Sequence, residues 1–405
     1  MQVVYERCCG IDVHKKMIVV CMVVGSKSQT RTFGTSTGDL REMAEWLLEN
    51  GCQKAAMEST GSYWKPVYNV LEVLGLEVMV VNAQHMKAVP GRKTDTKDAA
   101  WIADLLKHGL LKASFIPDRE QRELREVSRY RKSLVEERSR EICRLEKVLE
   151  GGNIKLSSVV SDITGVSSRK LLKALTGEGV NENNIDPLLY GTLREKRTEL
   201  LKSCDGVLTQ VQKKLVCAIL DHIDDMTRRI ADMDEIINGE MKAYEDARKA
   251  IDEIPGIAHR SAQVILSEIG LDMSRFPSAS HLASWAGLSP GNNQSAGKQK
   301  SGRTCKGNKT LKSTLIQCAK TAARKDGSFF KAQYDRLVVR RGAKRATVAV
   351  AHSMLISIFH MLKNGVPFHD LGGDYYNQFN PDKKIDHYLK KLHALGWQPP
   401  TAVAP

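Results

Sequence analysis

The chain has 405 residues, with 61 Lys and Arg against 47 Asp and Glu, which gives a formal net charge of +14. A hydrophobic content of 42% is ordinary for a globular protein and excludes global disorder. The positive charge favours a polyanionic partner, with nucleic acid as the first candidate and an anionic membrane surface as the second. The alternative explanation is that the excess of basic over acidic residues serves only to keep the protein soluble.

The cysteines and the apolar segments indicate a cytoplasmic setting. There are 9 cysteines, none in a C-x-x-C pair, so neither a disulfide framework nor a zinc site is predicted. We expect them to be small buried side chains in a reducing cytoplasm. The N-terminus has no signal-peptide pattern, and the longest apolar run, residues 17–24, is too short to cross a bilayer. We therefore expect no secretion and no membrane insertion.

The first part of the chain alternates strand and helix patterns. Strands are predicted over residues 7–13, 16–24, 28–34, 54–57 and 77–81, and helices over 39–50, 62–74 and 94–108. Three consecutive strands followed by alternating helices and strands predict a mixed α/β sheet with an antiparallel edge. That order fits the ribonuclease-H-like fold, among others.

The middle of the chain predicts long helices. Arg and Glu dominate residues 118–150 without Gly or Pro, and a second helical region follows over residues 207–249. In the second region apolar residues alternate at spacings of four and three, namely Ile219, Ile223, Met226, Ile230, Met233 and Ile237. This spacing is typical of a coiled coil or a long helical hairpin. The seam predicts either a bundle within one chain or an element that sets oligomer geometry or separates two domains.

The last part of the chain is predicted to be mainly helical. Ile254-Pro255-Gly256-Ile257 and the helix after it resemble a helix-hairpin-helix turn, which offers backbone N–H groups to phosphate. Residues 288–306 read as a Gly/Ser/Lys loop, and the tail from Pro367 carries no recognisable chemistry. We predict four parts: residues 1–117, 118–250, 251–365 and 366–405.

Four carboxylates in the first part form a candidate metal site. Asp12 and Glu58 end predicted strands, while Asp95 and Asp98 share one face of a predicted helix at its first turn. Strand ends converge at one edge of an α/β sheet, so the four acids can hold two Mg²⁺ ions for phosphoryl transfer. The alternatives are a hairpin-turn role for Asp12 and dipole complementation for Asp95 and Asp98.

A second candidate site lies in residues 290–304, where serines stand among cations. Lys298, Lys300, Arg303 and Lys306 suit phosphate binding. A serine among them can act as a nucleophile, although no neighbouring residue is an obvious general base. A basic DNA-contacting loop without a covalent role remains the alternative.

These elements together resemble a known family. Residues 10–15, 58–61 and 91–99 closely resemble the DEDD transposases of insertion-sequence family one-ten. Residues 254–257 and residues 285–288 leading into Ser295-Ala296-Gly297-Lys298 resemble them too. The resemblance extends in order over roughly residues 8–362, with Gly91–Asp98 as the most specific part. Residues 154–165 and the long helices look like the branch typified by insertion sequence eleven-eleven.

The resemblance implies a RuvC-like N-terminal domain, a coiled-coil middle and a C-terminal transposase domain. It implies that Asp12, Glu58, Asp95 and Asp98 bind Mg²⁺, with Mn²⁺ as a substitute, and that Ser295 attacks DNA to form a phosphoserine linkage. Ser289 and Ser301 are the neighbouring alternatives to Ser295. Seven residues are expected to contact nucleic acid: Arg92, Lys93, Lys97, Lys298, Lys300, Arg303 and Lys306.

The resemblance also implies partners. Family members work as tetramers that pair donor and target double-stranded DNA, which a structured non-coding bridge RNA selects by base pairing. We accordingly expect a homo-oligomer, from dimer to tetramer, located in the bacterial cytoplasm with the nucleoid. We hypothesise that the long helices bring the acids of one subunit to the serine of another.

Three other functions compete with this one. A RuvC-like nuclease or junction resolvase would leave free DNA ends and no protein–DNA adduct. An actin-like ATPase or sugar kinase would need a second Gly-rich phosphate loop, which the sequence lacks. A non-catalytic RNA-binding scaffold would make the four acids dispensable.

Overall fold

A computed structural model describes residues 2–82, 98–291, 293–295, 298–378 and 381–397. Contacts divide the chain into two units, Met1–Pro117 and Asp118–Pro405. The finer predicted division of the second unit into 118–250, 251–365 and 366–405 stays a prediction.

The first unit is built on a five-stranded mixed sheet. Its strands are β1 (Arg7–Val13), β2 (Ile18–Val24), β3 (Lys27–Phe33), β4 (Lys54–Glu58) and β5 (Glu77–Val81). The spatial order is β3-β2-β1-β4-β5; β1, β2 and β3 are antiparallel neighbours, and β1, β4 and β5 run parallel. This confirms the mixed sheet with an antiparallel edge, and it is consistent with a ribonuclease-H-like domain.

Side chains of β1 alternate between the two faces of the sheet, as a period of two requires. Cys9, Ile11 and Val13 belong to the core that includes α1 (Thr37–Glu49) and α2 (Trp64–Val73). Cys8 belongs instead to the core on the other face, which includes α3 (Asp98–Lys107). The sheet is therefore covered by helix on both faces.

Two long helices dominate the start of the second unit, α4 (Arg119–Gly151) and, later in the chain, α7 (Gln210–Glu240). Two contacts show that they run antiparallel: Arg131 Nε lies 2.7 Å from Asp234 Oδ1, and Arg138 Nη1 lies 3.3 Å from Thr227 Oγ1. Residue numbers rise along one helix as they fall along the other.

The predicted seam is buried within this pair of helices. Four of its six residues are almost fully buried: Ile223, Met226, Ile230 and Ile237. The structure therefore supports the alternative of a bundle within one chain. It overturns the use of this seam as evidence for an oligomer, because α4 already covers it. A supercoiled coiled coil stays a prediction.

Shorter helices complete the second unit. They are α5 (Val166–Thr176), α6 (Arg197–Ser203), α8 (Glu245–Asp252), α9 (His259–Ile269), α10 (Ala279–Trp285), α11 (Lys309–Ala322), α12 (Phe329–Arg341), α13 (Ala343–Asn364) and α14 (Pro381–Ala394). Between α10 and α11 a β-hairpin of β6 (Asn293–Ser295) and β7 (Lys298–Ser301) replaces part of the predicted loop. Strand pairing there could not be foreseen from a Gly/Ser/Lys composition.

The turn between α8 and α9 contains the predicted phosphate-binding turn. Gly256 has φ of +87°, and a Cβ placed there would lie 2.4 Å from the carbonyl oxygen of Cys318 on α11. Glycine is thus required for close packing of this turn against α11. Its proposed contact with phosphate stays a prediction.

Two features of the second unit differ from expectation or extend it. Cys143 and Cys217 are exposed, so the expectation that the cysteines are buried is wrong for these two. The tail, which carried no predicted chemistry, packs on the start of α12: the ring centroids of Phe330 and Phe368 are 5.9 Å apart, and Phe329 N donates to Asp370 Oδ1 at 2.9 Å.

Within the described residues, one helix is long and apolar enough to cross a membrane by length and composition alone, namely α13. Half of its most apolar stretch is buried inside the protein. Residues such as Val350, Met354 and Ile358 are fully buried, which is how a core helix of the C-terminal part behaves.

Candidate active site

Asp12 and Glu58 lie at the carboxyl ends of neighbouring parallel strands. Ile11 of β1 pairs with Met57 of β4, so the next residues, Asp12 and Glu58, stand side by side at the ~4.8 Å spacing of adjacent strands. Alternation places both on the α3 face, because Asp12 is in phase with Cys8, and Glu58 with Ala56. The topology therefore brings the two predicted strand-end acids together.

Asp98 begins α3, and Gly10 allows that helix to approach β1. A Cβ at Gly10 would lie 2.1 Å from the carbonyl oxygen of Ala99 and 2.3 Å from the backbone nitrogen of Ala103. The first turn of α3 therefore packs directly against the backbone of Gly10, which lies two residues before Asp12. One carboxylate oxygen of Asp98, Oδ1, is buried.

Asp12 has a partner that the sequence analysis did not assign. His14 Nε2 lies 2.9 Å from Asp12 Oδ2, and the Asp12 side chain is only 15% exposed. The signal that could have found the contact is the spacing of two residues at a strand end, which places both side chains on one face.

The acids fit the chemistry of a hard divalent cation, for which carboxylate oxygens are the preferred ligands. Among the described residues, no three His, Cys, Asp or Glu side chains lie close enough to hold a metal ion. Asp95, Arg92, Lys93 and Lys97 lie outside the described residues. The convergence of all four acids therefore stays a prediction.

Ser295 ends β6 and pairs with Lys298, the first residue of β7. Ser289 lies at the base instead, where its carbonyl accepts from Cys305 N at 3.3 Å, and Ser301 pairs with Asn293. The side chains of Ser295, Lys298, Lys300 and Ser301 lie outside the described part of the chain. Arg303 and Lys306 are exposed beyond β7.

The base of this hairpin is held tightly. Gly291 N donates to the carbonyl of Arg303 at 2.8 Å. Gly287 and Gly307 touch closely enough that a Cβ on Gly307 would lie 2.3 Å from Gly287 N. Asn308, the next residue, donates from its backbone to the carbonyl of Trp285 at 3.0 Å. Both ends of the hairpin are thus fixed to the end of α10.

Asn308 connects this base to a buried carboxylate, Glu268 of α9. Asn308 Nδ2 donates to Glu268 Oε2 at 2.6 Å, while Arg129 of α4 donates to both carboxylate oxygens, from Nε at 2.7 Å and Nη2 at 2.8 Å. Arg125 Nε lies 3.2 Å from Glu268 Oε2. The carboxylate is fully buried, so these partners compensate a charge that would otherwise be very costly.

Burial lowers the pKa of Arg125 to about 10, although the Glu268 carboxylate opposes that shift. The guanidinium also lies 5.9 Å from the ring centroid of Trp285. This network was not predicted from the sequence. The pattern that could have indicated it is an acid in the run Val264–Ile269, which is otherwise apolar except for Ser267, because an unpaired charge is not tolerated there.

Two models of known protein families match parts of the chain that contain these candidate residues. A family model for the DEDD transposase domain of IS110 elements, described as "Transposase", matches residues 9–154, and one described as "Transposase IS116/IS110/IS902 family" matches residues 248–335. The first range includes all four acids and the second includes Ser295. The chain is also 25% identical over 311 residues to the "Insertion element IS110 uncharacterized 43.6 kDa protein" of Streptomyces coelicolor. That alignment covers 68% of this chain and 72% of the relative.

The fold and these matches define an enzyme of the DNA transposase and recombinase class. The chain carries the two transposase domains of the IS110 family and is a distant relative of an IS110 protein. A DEDD-type domain indicates use of a divalent metal, and a transposase acts on DNA.

Proposed function

We propose that this protein is an RNA-guided transposase that cuts and exchanges DNA strands with four acidic residues and a serine nucleophile. The observation that supports the proposal most directly is the pairing of Asp12 and Glu58 at adjacent parallel strand ends, on the face covered by α3. Both acids lie within residues 9–154, the range that matches the DEDD domain model. RNA guidance rests on the resemblance described from the sequence.

Asp12, Glu58, Asp95 and Asp98 would hold Mg²⁺. When bound, the metal stabilises negative charge on the reacting phosphate and favours loss of a proton from the attacking hydroxyl. The contact between His14 and Asp12 Oδ2 engages one carboxylate oxygen and leaves Oδ1 for a ligand. His14 is thus a positioning residue in this proposal.

Ser295 would provide the nucleophile. Its Oγ forms a bond to phosphorus, and the bond from phosphorus to the departing DNA oxygen breaks. The proton lost by the serine is balanced by the proton that the departing strand takes up as a free hydroxyl. Lys298, Lys300, Arg303 and Lys306 lie near Ser295 in sequence and would neutralise the phosphate.

The positive charge of the chain suits the backbones of both RNA and DNA, while base pairing with a guide would select the sequence. The donor and target duplexes and the bridge RNA are the proposed partners. A homo-oligomer, dimer to tetramer, would pair the two DNAs.

The experiment compares Ser295→Ala with Asp12→Ala on a DNA substrate that traps covalent intermediates. We expect wild type to give a denaturation-resistant protein–DNA species and both variants to give none. DNA binding measured without metal should stay near wild type for both. Ser289→Ala and Ser301→Ala are the matched controls and should retain the adduct.

Two results would contradict the proposal. Recombination by Ser295→Ala at near the normal rate would remove the serine assignment. Cleavage by every serine variant, but not by Asp12→Ala, would favour the alternative of a RuvC-like nuclease without a covalent intermediate.

A further inference from the structure

The corner between α12 and α13 carries a cluster of cations that no part of the proposed chemistry uses. It consists of the last two residues of α12, Arg340 and Arg341, and two residues in the first turn of α13, Lys344 and Arg345. All seven residues from 339 to 345 are exposed, and Val339 is 87% exposed. We call the four cations the α12–α13 corner.

No anion within the described part of the protein neutralises these cations. Among the described residues, the side chains of the α12–α13 corner make no ion pair or hydrogen bond. The sequence agrees, because no Asp or Glu occurs between Asp335 and Asp370. Asp335 itself is engaged by Lys331, whose Nζ lies 2.9 Å from Asp335 Oδ2.

The backbone concentrates the four charges. Gly342 has φ of +76°, a conformation that favours glycine, and it joins the two helices without a longer loop. Cations at the end of α12 suit its helix dipole, whereas Lys344 and Arg345 stand at the positive end of the dipole of α13. Such a placement is unfavourable for the folded chain alone, and a polyanion at the corner would offset it.

We propose that the α12–α13 corner binds the phosphate backbone of duplex DNA. Duplex DNA is the partner because the enzyme class acts on it, and its phosphates provide about one charge per 1.7 Å of helix axis. Arginine is suited to bidentate contact with phosphate oxygens. Because its four cations are exposed side chains suited to phosphate contact, the corner contributes affinity and orientation and does not read sequence.

The α12–α13 corner lies beyond residue 335, where the matched transposase family model ends. The inference extends the proposed function and needs neither the guide RNA nor the serine nucleophile. It depends only on the enzyme's action on DNA. A binding measurement without metal therefore tests it separately from the chemistry.

The test is the salt dependence of equilibrium binding to a short duplex DNA of arbitrary sequence, measured by fluorescence anisotropy in EDTA. The variant is R340Q/R341Q/K344Q/R345Q. Each phosphate contact contributes about 0.9 to the slope of log K against log salt, so the slope should become shallower by about 3 to 4. Thermal melting should match wild type, since all four side chains are exposed.

A variant with the same loss of net charge is the control: R119Q/R197Q/R228Q/R229Q. Arg119, Arg228 and Arg229 are exposed, and Arg197 is half-buried. All four already pair with Glu123, Asp186 or Asp225, so they should contribute little to the slope. An unchanged slope for the corner variant, or an equal loss for the control, would refute the site. A loss confined to a matched RNA duplex would refute DNA as the partner and indicate RNA.

Discussion

At the scale of single residues, Gly10 decides whether the acids can assemble. The carbonyl oxygen of Ala99 occupies the space that a side chain at residue 10 would need. Since Asp12 lies two residues further along β1 and Asp98 is next to Ala99, the missing Cβ allows the helix that carries Asp98 to lie against the strand that carries Asp12. The glycine is therefore a positioning element of the site.

We expect Gly10→Ala to destabilise the protein by about 1 to 3 kcal/mol, because the obstructing atoms are backbone and cannot rotate away. Thermal unfolding measures the effect. Gly38→Ala is the control, since a Cβ there meets nothing nearer than Ser36 Oγ at 3.8 Å. In α1 that change should be neutral or stabilising by up to about 1 kcal/mol. Equal melting of the two variants would contradict the role of Gly10.

At the scale of elements, Glu268 links helices that are distant in the chain. It joins α9 to Arg125 and Arg129 of α4, and through Asn308 to the start of α11. Asn308 also caps α11, since its Oδ1 accepts from Leu311 N at 3.0 Å. The hairpin of β6 and β7, which contains Ser295, begins and ends close to this junction. Its orientation therefore depends on a buried ionic network as well as on apolar packing.

We expect Glu268→Gln to lower the free energy of unfolding by about 3 to 5 kcal/mol, the usual cost of leaving a buried charge without its partner. Glu123→Gln is the matched control. Glu123 also binds an arginine, with Arg119 Nε 3.0 Å from its Oε1, but both of these side chains are exposed to solvent. Its loss should change the melting temperature little, because exposed pairs are screened. Similar melting of both variants would show that burial of Glu268 is unimportant.

At the scale of the whole molecule, the burial of the α7 seam limits the surfaces that can form an oligomer interface. Ile223 and Ile230 face α4 of the same chain, so a dimer or tetramer must use other surfaces or bound nucleic acid. The net charge of +14 opposes association of free chains and favours association on a polyanion. Assembly on RNA and DNA is therefore expected to depend strongly on salt.

We expect Ile223→Asp to unfold the helix pair, because it places an unpaired charge in a dry interface. Loss of helical signal and a lower melting temperature by circular dichroism would report this. Ile236→Asp, at a position 44% exposed on the same helix, should melt like wild type. If Ile223→Asp instead kept its melting temperature and only dissociated an oligomer in light scattering, the seam would be intermolecular.

The amino-acid pattern alone predicted the mixed sheet with its antiparallel edge, two long helical regions and the candidate acids. The second region, predicted over residues 207–249, ends its long helix at Glu240. Alternation of polar and apolar residues reports which face of a strand or helix is covered, and strand ends report where polar groups gather. Asp12 and Glu58 illustrate this, since both were predicted from their place at the end of an apolar strand.

The element that covers each face became known from the packing of the folded chain. The α7 seam predicted a partner helix but not that α4 of the same chain supplies it, because periodicity contains no information on the partner. The pairing of β6 with β7, the contacts of Glu268 and the exposure of the cations at the α12–α13 corner likewise depend on the folded structure. Their energies come from burial and charge compensation, which exist only once the helices have packed.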